Sequence, residues 1–177
     1  MPASCALLLK GDTDYTESEA KRVLMNSSEY VSIVEDIKRE IKAAQYRAAV
    51  HANADMLLLY HDIGCVINEY KSWGNKFIDN LATDIRIDFP ESKGYSARNL
   101  KYMAKFAATY PDREFVQTVS AQIPWSHNIA IIEKVKDPEQ RVWYIKKTAE
   151  NGWSHNVLIH QIESGLYQRQ GLADKVS

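Results

Sequence analysis

The sequence predicts an all-α, multi-helix domain with a long N-terminal helix and helix-turn-helix-like units. Three observations support this fold class. No segment alternates polar and apolar residues over a convincing length, residues 29–71 contain no glycine before Gly64 and no proline, and one type of helix start occurs three times. Alternation with a period of two marks half-buried strands, whereas apolar steps of three and four residues mark amphipathic helices.

Length and composition limit the class of protein. The chain has 177 residues, of which 45% are hydrophobic, enough for one domain with a core and a tail. The net charge is −1, so any binding to nucleic acid must depend on a local basic patch. Two cysteines, Cys5 and Cys65, form neither a disulfide framework nor a metal motif, and Cys65 fits a small core residue. The apolar run at the start is too short for a signal peptide, and no stretch reaches transmembrane length, so we expect a cytoplasmic, soluble protein with no membrane partner.

The chain divides into three parts. Residues 1–28 have the character of a partly disordered tail with one short helix, preceded by the capping-box pair Thr16 and Glu19. Residues 29–167 form the predicted helical domain, and residues 168–177 have the composition of a C-terminal linker.

The first helical region is unusually long. Its apolar residues recur at Ile33, Ile37 and Ile41 and continue in steps of three and four. Two alternatives stay open: a break or bend near residues 51–55, where His, Asn and Asp cluster, or one unbroken helix that serves as a spine or a dimer interface.

The repeated helix start gives the rest of the domain its order. Tyr95-Ser96, Trp125-Ser126 and Trp153-Ser154 each set an aromatic residue before a serine, and asparagines 99, 128 and 156 follow at separations of 29 and 28 residues. A serine hydroxyl accepts a hydrogen bond from a free amide of the first helical turn, so all three serines are predicted N-caps. The three copies are either an internal repeat or simply three well-made helix starts.

Proline, glycine and aspartate mark the remaining boundaries. Asp112 and Asp137 are predicted caps, with Pro138 at the first helical position after Asp137. Gly74 and Gly152 are predicted helix ends. The predicted helices span residues 77–89, 96–109, 113–122, 126–135, 138–149 and 154–164.

The helix after Gly94 is the best candidate for binding a ligand. Residues 93–110 contain four basic residues and no acidic one, and at about 100° per residue the basic side chains gather on one helix face. The preceding helix, the turn and this helix follow the order of a helix-turn-helix, whose second helix enters the major groove. Arginine suits guanine and asparagine suits adenine, while lysines suit phosphates. The predicted DNA-binding residues are Lys93, Tyr95, Arg98, Asn99, Lys101, Tyr102 and Lys105; the alternative is a solvated basic face.

A second helix-turn-helix order occurs at residues 138–164. There Asn156, His160 and Glu163 share one side of the second helix, and Glu163 would repel phosphate. This face is therefore predicted to have a structural or partner-binding role, and His160 is expected to pair with Glu163.

Enzyme motifs are lacking. The five histidines include no HExxH pair, and the chain has no glycine-rich phosphate loop and no G-x-S-x-G elbow. His61-Asp62 is a poor basis for a metal site without further ligands. We therefore predict no enzyme activity, no cofactor and no metal.

Several segments resemble one bacterial family. Leu59-Tyr60, Trp73-Gly74, Tyr95-Ser96 and Trp125-Ser126-His127-Asn128 carry the resemblance, within matching segments 59–64, 73–74, 89–103, 122–128 and 150–163. Over residues 31–170 the chain resembles the N-terminal domain of the YhcG-type family.

The resemblance implies a function that the residues alone do not give. In that family this helical domain usually precedes a PD-(D/E)xK nuclease domain, and it is thought to bind DNA or to help assemble the nuclease. The nuclease half is not expected in this chain, so no catalytic residues are carried over. The implied partners are double-stranded DNA, a second copy in a homodimer and a nuclease domain acting in trans; the alternative is a protein-interaction module without DNA contact.

Overall fold

A computed structural model describes Glu19, residues 27–171, Ala173 and Val176. Across these residues the regular structure is entirely helical, which confirms the all-α prediction. The chain divides into two compact units, Met1–Ala48 and Ala49–Ser177. The predicted cap at Thr16 and the short helix after it lie outside the described residues, apart from Glu19.

Seven α-helices account for most of the described residues. They are α1 (Ser28–Glu69), α2 (Gly74–Asp88), α3 (Ala97–Thr109), α4 (Arg113–Thr118), α5 (Trp125–Lys134), α6 (Pro138–Asn151) and α7 (His155–Glu163). Short 3-10 turns lie at Lys71–Trp73 and Ser120–Gln122, and a π-helical turn lies at Tyr167–Gly171. The long α1 continues through residues 51–55 without a break, so of the two alternatives the unbroken helix is the one observed.

The described part of the first unit is the start of α1. The Ser27 hydroxyl accepts a hydrogen bond from the Tyr30 amide at 3.1 Å, which caps the helix. The side chains of Ile33, Ile37 and Ile41 are 50%, 55% and 51% exposed. The apolar stripe predicted from the sequence is therefore present, and about half of each isoleucine is open to solvent.

The second unit is built around two clusters of buried side chains. The larger includes Leu57, Phe106, Ile131 and Tyr144, from α1, α3, α5 and α6. The smaller includes Tyr60, Ile67, Ala82, Leu100 and Met103, from α1, α2 and α3. Because α3 contributes residues to both clusters, its outward face is held by the whole core of this unit.

In the second unit α1 does not bury its most apolar face. Its buried residues are Leu57, Tyr60, His61, Gly64 and Ile67. The more hydrophobic Leu59 and Val66 are 46% and 48% exposed. The prediction that Cys65 is a core residue is wrong, because its thiol is exposed and the inward positions beside it belong to His61 and Gly64.

The inward position of Gly64 has a steric cause. A Cβ placed there would overlap the main-chain carbonyl of Met103 and come within 2.9 Å of the Ala107 Cβ. Glycine thus allows α1 and α3 to approach more closely than any larger residue would.

Two of the three predicted serine caps are confirmed. The hydroxyls of Ser96 and Ser154 accept hydrogen bonds from the amides of Asn99 and Val157, at 3.2 and 3.3 Å. Asp112 and Asp137 cap α4 and α6 as predicted, and Gly152 ends α6 in the left-handed conformation at φ 60°.

The predicted cap at Ser126 is wrong. The extended residue before α5 is Pro124, with φ −61° and ψ 160°, so the helix begins at Trp125 and Ser126 lies inside its first turn. The Asn128 side chain secures this earlier start, because its amide donates to the carbonyls of Ser120, Ile123 and Pro124 at 3.0, 3.2 and 3.1 Å.

Candidate nucleic-acid interface

The basic residues of α3 and of the turn before it lie on the surface. Lys93, Arg98, Lys101 and Lys105 are exposed, and residues 93–110 contain no acidic side chain. On the opposite side of α3, Leu100, Met103 and Phe106 are fully buried. The amphipathic pattern predicted from the sequence therefore orients the helix with its cations toward solvent.

The start of α3 borders an open cleft of about 500 Å³, here called the α3 cleft. Its lining comes from α1, the turn before α3, α3 itself and the start of α5. The residues are Met56, Tyr60, Lys93, Gly94, Ser96, Arg98, Asn99, Tyr102 and Trp125. Four of the seven predicted DNA-binding residues are thus brought together.

The sequence reasoning missed three lining residues of this cleft. Met56, Tyr60 and Trp125 lie on α1 and α5, remote in sequence from α3. Trp125 belongs to the repeated helix start, and that start was the only signal that marked it. Met56 and Tyr60 have the ordinary spacing of an apolar helix face and carried no signal.

Asn99 binds within the protein. Its side-chain amide donates to the Gly94 carbonyl at 2.5 Å, and its side-chain oxygen accepts from the Trp125 indole N–H at 2.9 Å. These two bonds tie the turn before α3 and the start of α5 to the first turn of α3. The groups that would read an adenine are therefore already occupied, and Asn99 positions the wall of the cleft.

Arg98 lies at the mouth of the cleft beside Tyr102. Its guanidinium carbon is 5.7 Å from the centre of the Tyr102 ring. A hydrogen bond with Tyr102 is the main cause that raises the pKa of Arg98, and a weaker attraction to Glu133 acts in the same direction. Arg98 therefore stays charged, with the half-buried Tyr102 ring beside it.

Tyr60 forms the buried wall of the cleft. Its side chain is only 6% exposed, and its ring meets the rings of Trp125 and Tyr95 edge-on, with centroids 4.9 and 6.1 Å apart. Its hydroxyl lies so close to Gly94 that a Cβ there would clash with it. Burial, and to a lesser extent Tyr95, raises the pKa of the Tyr60 phenol above 10.0, so the hydroxyl keeps its proton at neutral pH.

The other predicted residues lie elsewhere on the surface. Lys101 borders a separate cleft of about 200 Å³, together with Lys71 and Asn68. Tyr95 is half-buried against the smaller core cluster. Lys105 is exposed further along α3. The structure therefore separates the predicted set into a group at the cleft and two lysines along the rest of the helix.

The face of α7 contains an ion pair that the sequence reasoning assigned to other partners. Glu163 accepts a hydrogen bond from the Lys134 ammonium at 2.7 Å, and this contact, ahead of a weaker influence from His160, lowers the pKa of Glu163. The predicted pairing with His160 is therefore secondary to a bridge between α5 and α7. Asn156 and His160 are exposed on the same helix.

Polar groups that could suggest catalysis have structural partners. His61 is 3% exposed, and its Nε2 lies 2.7 Å from the Tyr110 carbonyl. Asp62 is bridged by Arg113 at 3.2 Å. Within the part of the chain that the structure describes, no three His, Cys, Asp or Glu side chains are grouped so as to hold a metal ion.

The helices were also compared with what a bilayer requires. Over residues 27–171, none of them combines the length and the apolar character needed to cross a membrane.

Comparison with known proteins gives the chain a family. Its sequence is 26% identical, over 176 aligned positions, to the Escherichia coli (strain K12) protein described as "Putative nuclease YhcG". The match covers 79% of this chain and 46% of that relative, so the chain spans about half of the relative's length. No solved structure matches. The model of the DUF1016 N-terminal domain matches residues 36–169, close to the segment in which the sequence resemblance was found. The chain belongs to the family of the DUF1016 N-terminal domain.

Proposed function

We propose that this domain binds double-stranded DNA through the exposed face of α3 and thereby targets a nuclease. The observation that carries the proposal is the row of cations without acidic neighbours in sequence, at Lys93, Arg98, Lys101 and Lys105. Lysine and arginine side chains neutralise phosphates and release counterions, which supplies most of the affinity of a protein for duplex DNA.

The arrangement of α2 and α3 also supports the proposal. The two helices pack side by side in the smaller core cluster, in the order of a helix-turn-helix, and Arg98 lies in the first turn of the second helix. That turn is the part that reaches base edges in such motifs. Because the Asn99 amide is used inside the protein, Arg98 is the residue we assign to base contact, and Lys101 and Lys105 are assigned to phosphates.

We further infer that cleavage itself requires a nuclease domain outside the residues described here. The family is associated with nucleases, and the matched region is its N-terminal domain rather than a catalytic domain. The described side chains offer no metal-binding carboxylate group for phosphodiester cleavage. The domain would then act as a targeting module, with catalysis supplied in trans or by another segment of a longer protein.

Salt titration of duplex binding tests the DNA proposal. We expect the Arg98→Ala/Lys101→Ala protein to bind a labelled duplex more weakly, and the slope of log K against log salt to become shallower by roughly 1.8, at about 0.9 for each lost phosphate contact. The measurement is fluorescence anisotropy between about 50 and about 200 mM salt.

The matched control removes the same charge elsewhere. Lys136 and Lys146 are exposed and lie outside α3, so Lys136→Ala/Lys146→Ala should keep the wild-type slope. Absence of duplex binding at low salt, or equal slopes in the two double variants, would count against the DNA proposal.

Self-association is the second candidate, and a specific observation favours it. Along the first unit of α1 the residues Val34, Ile37, Ile41, Ala44 and Ala48 alternate in steps of three and four, the spacing of coiled-coil contact positions. Ile37 and Ile41 are more than half exposed. An apolar stripe that repeats with this period is complementary to a second copy of itself, so we propose that α1 forms a homodimer.

The dimer proposal predicts a mass change. Ile37→Asp/Ile41→Asp should halve the molar mass measured by light scattering, because burying two unpaired carboxylates at the contact positions of each helix outweighs the remaining apolar contacts. Ile87, which is 71% exposed on α2, provides the matched control, and Ile87→Asp should leave the dimer mass unchanged. A monomeric wild-type chain at high concentration would contradict this interpretation.

A further inference from the structure

The α3 cleft contains a polar group that the protein itself does not use. The Tyr60 hydroxyl makes no hydrogen bond to any part of the chain that the structure describes, although 94% of the side chain is buried (6% exposed). A buried hydroxyl without a partner costs free energy, so such a group commonly marks the place of a ligand. It lies against Gly94, in the wall of the cleft.

Other donors converge on the same space. Ser96 Oγ bonds the Asn99 amide, which leaves the amides of Ala97 and Arg98 at the start of α3 without a helical partner. The start of a helix attracts anions because these amides and the helix dipole both present positive charge. Lys93 and Arg98 add two full positive charges at the rim. The cleft therefore provides hydroxyl, amide and cationic donors around one position, which suits the oxygens of a phosphate.

The remaining walls are aromatic. Trp125 and Tyr102 are half-buried and line the cleft. The Trp125 N–H is bound to Asn99, which holds its ring in place. Aromatic rings of this kind stack on nucleobases, and they do so without strong preference for one base. A volume of about 500 Å³ suits one nucleotide and is too small for a base pair with its two strands.

We propose that the α3 cleft binds a phosphorylated, unpaired nucleotide at the 5′ end of a DNA strand. The inference rests on the proposed function in taking DNA as the source of the nucleotide. A terminal phosphate is a monoester and carries more negative charge at neutral pH than the diesters inside a strand. An unpaired terminal base also reaches the aromatic wall without the cost of extruding a base from a duplex.

The test compares two single-stranded oligonucleotides that differ only at the 5′ end. Each has a dye at its 3′ end, and one carries a 5′ phosphate where the other carries a hydroxyl. Fluorescence anisotropy should give an affinity about tenfold higher for the phosphorylated strand, as expected for charge-assisted hydrogen bonds. Equal affinities would overturn the inference.

Two variants locate the effect in the cleft. Tyr60→Phe removes only a hydroxyl that has no partner among the described residues, so the melting temperature should stay constant while most of the preference for the 5′ phosphate disappears. Arg98→Gln should also remove the preference. Lys101→Gln, which removes a charge outside the cleft, should weaken both strands by the same factor and leave their ratio unchanged. A Tyr60→Phe protein with the full preference would refute the role of the cleft.

Further ligands separate this inference from the proposed function. Duplex binding that depends on Arg98 and Lys101, without any preference for a 5′ phosphate, would overturn the cleft inference and leave the DNA-binding function intact. Binding of dAMP without binding of any single-stranded or duplex DNA would overturn both assignments of DNA, and the cleft would then be a site for free nucleotides.

Discussion

Replacement of Asn128 by alanine is expected to lower the free energy of unfolding by about 3–5 kcal/mol. The side chain is fully buried, its amide donates to the three carbonyls before α5, and its oxygen accepts from the Ser120 hydroxyl at 2.6 Å. Alanine would leave these groups buried without partners. Urea denaturation followed by tryptophan fluorescence measures the loss.

The other two asparagines of the repeated helix start provide matched controls. Asn99 makes two hydrogen bonds in a half-buried position, so Asn99→Ala should cost about 1–2 kcal/mol. Asn156 is exposed and makes no hydrogen bond to the described residues, so Asn156→Ala should change stability by no more than about 0.5 kcal/mol. Equal costs at all three positions would mean that the asparagines act only through the local helix start, and would contradict the assigned hydrogen bonds.

The second large effect is expected at Gly64. In an isolated helix, alanine is more favourable than glycine by about 1 kcal/mol, so helix propensity predicts that Gly64→Ala stabilises the protein. We expect the opposite sign, a loss of about 2 kcal/mol, because the new Cβ overlaps the Met103 carbonyl and α3 has to move away from α1. The melting temperature from circular dichroism measures this change.

The neighbouring Cys65 separates local from tertiary effects. It is exposed on the same helix, so Cys65→Ala should leave stability nearly unchanged. Gly64→Ala should also weaken duplex binding, since α3 carries the cations, whereas Arg98→Ala should weaken binding without a large change in melting temperature. A stabilised Gly64→Ala protein would show that the close approach of α1 and α3 is not maintained in solution.

The two predictions also bear on how the proposed interface is held. Arg98 gains its position from a helix whose inner face enters both core clusters and whose first turn is tied through Asn99 to Trp125. A group that makes a base or phosphate contact needs this rigidity, because positional freedom must be lost when the complex forms. The structural role of Asn99 therefore supports the binding role proposed for its neighbour Arg98.

The outcome at the three serines illustrates why some local predictions succeed. Ser96 and Ser154 cap their helices as expected, because a cap depends on groups within three residues in the chain. At Ser126 the same local pattern gave a wrong start, because Asn128 binds carbonyls that belong to the segment before the helix. The proline fixed the extended residue two positions earlier than the serine pattern indicated.

The sequence by itself determined the all-α class, most helix boundaries, the basic face of α3 and the family. These features depend on periodicity and on residues close together in the chain. Only the tertiary structure decided that Asn128 is buried while Asn156 is exposed, that Gly64 rather than Val66 faces α3, and that Tyr60 and Trp125 line the cleft with Arg98. Burial and hydrogen-bond partners depend on residues far apart in sequence, such as Asn99 and Trp125, and no local pattern encodes which distant group will meet them.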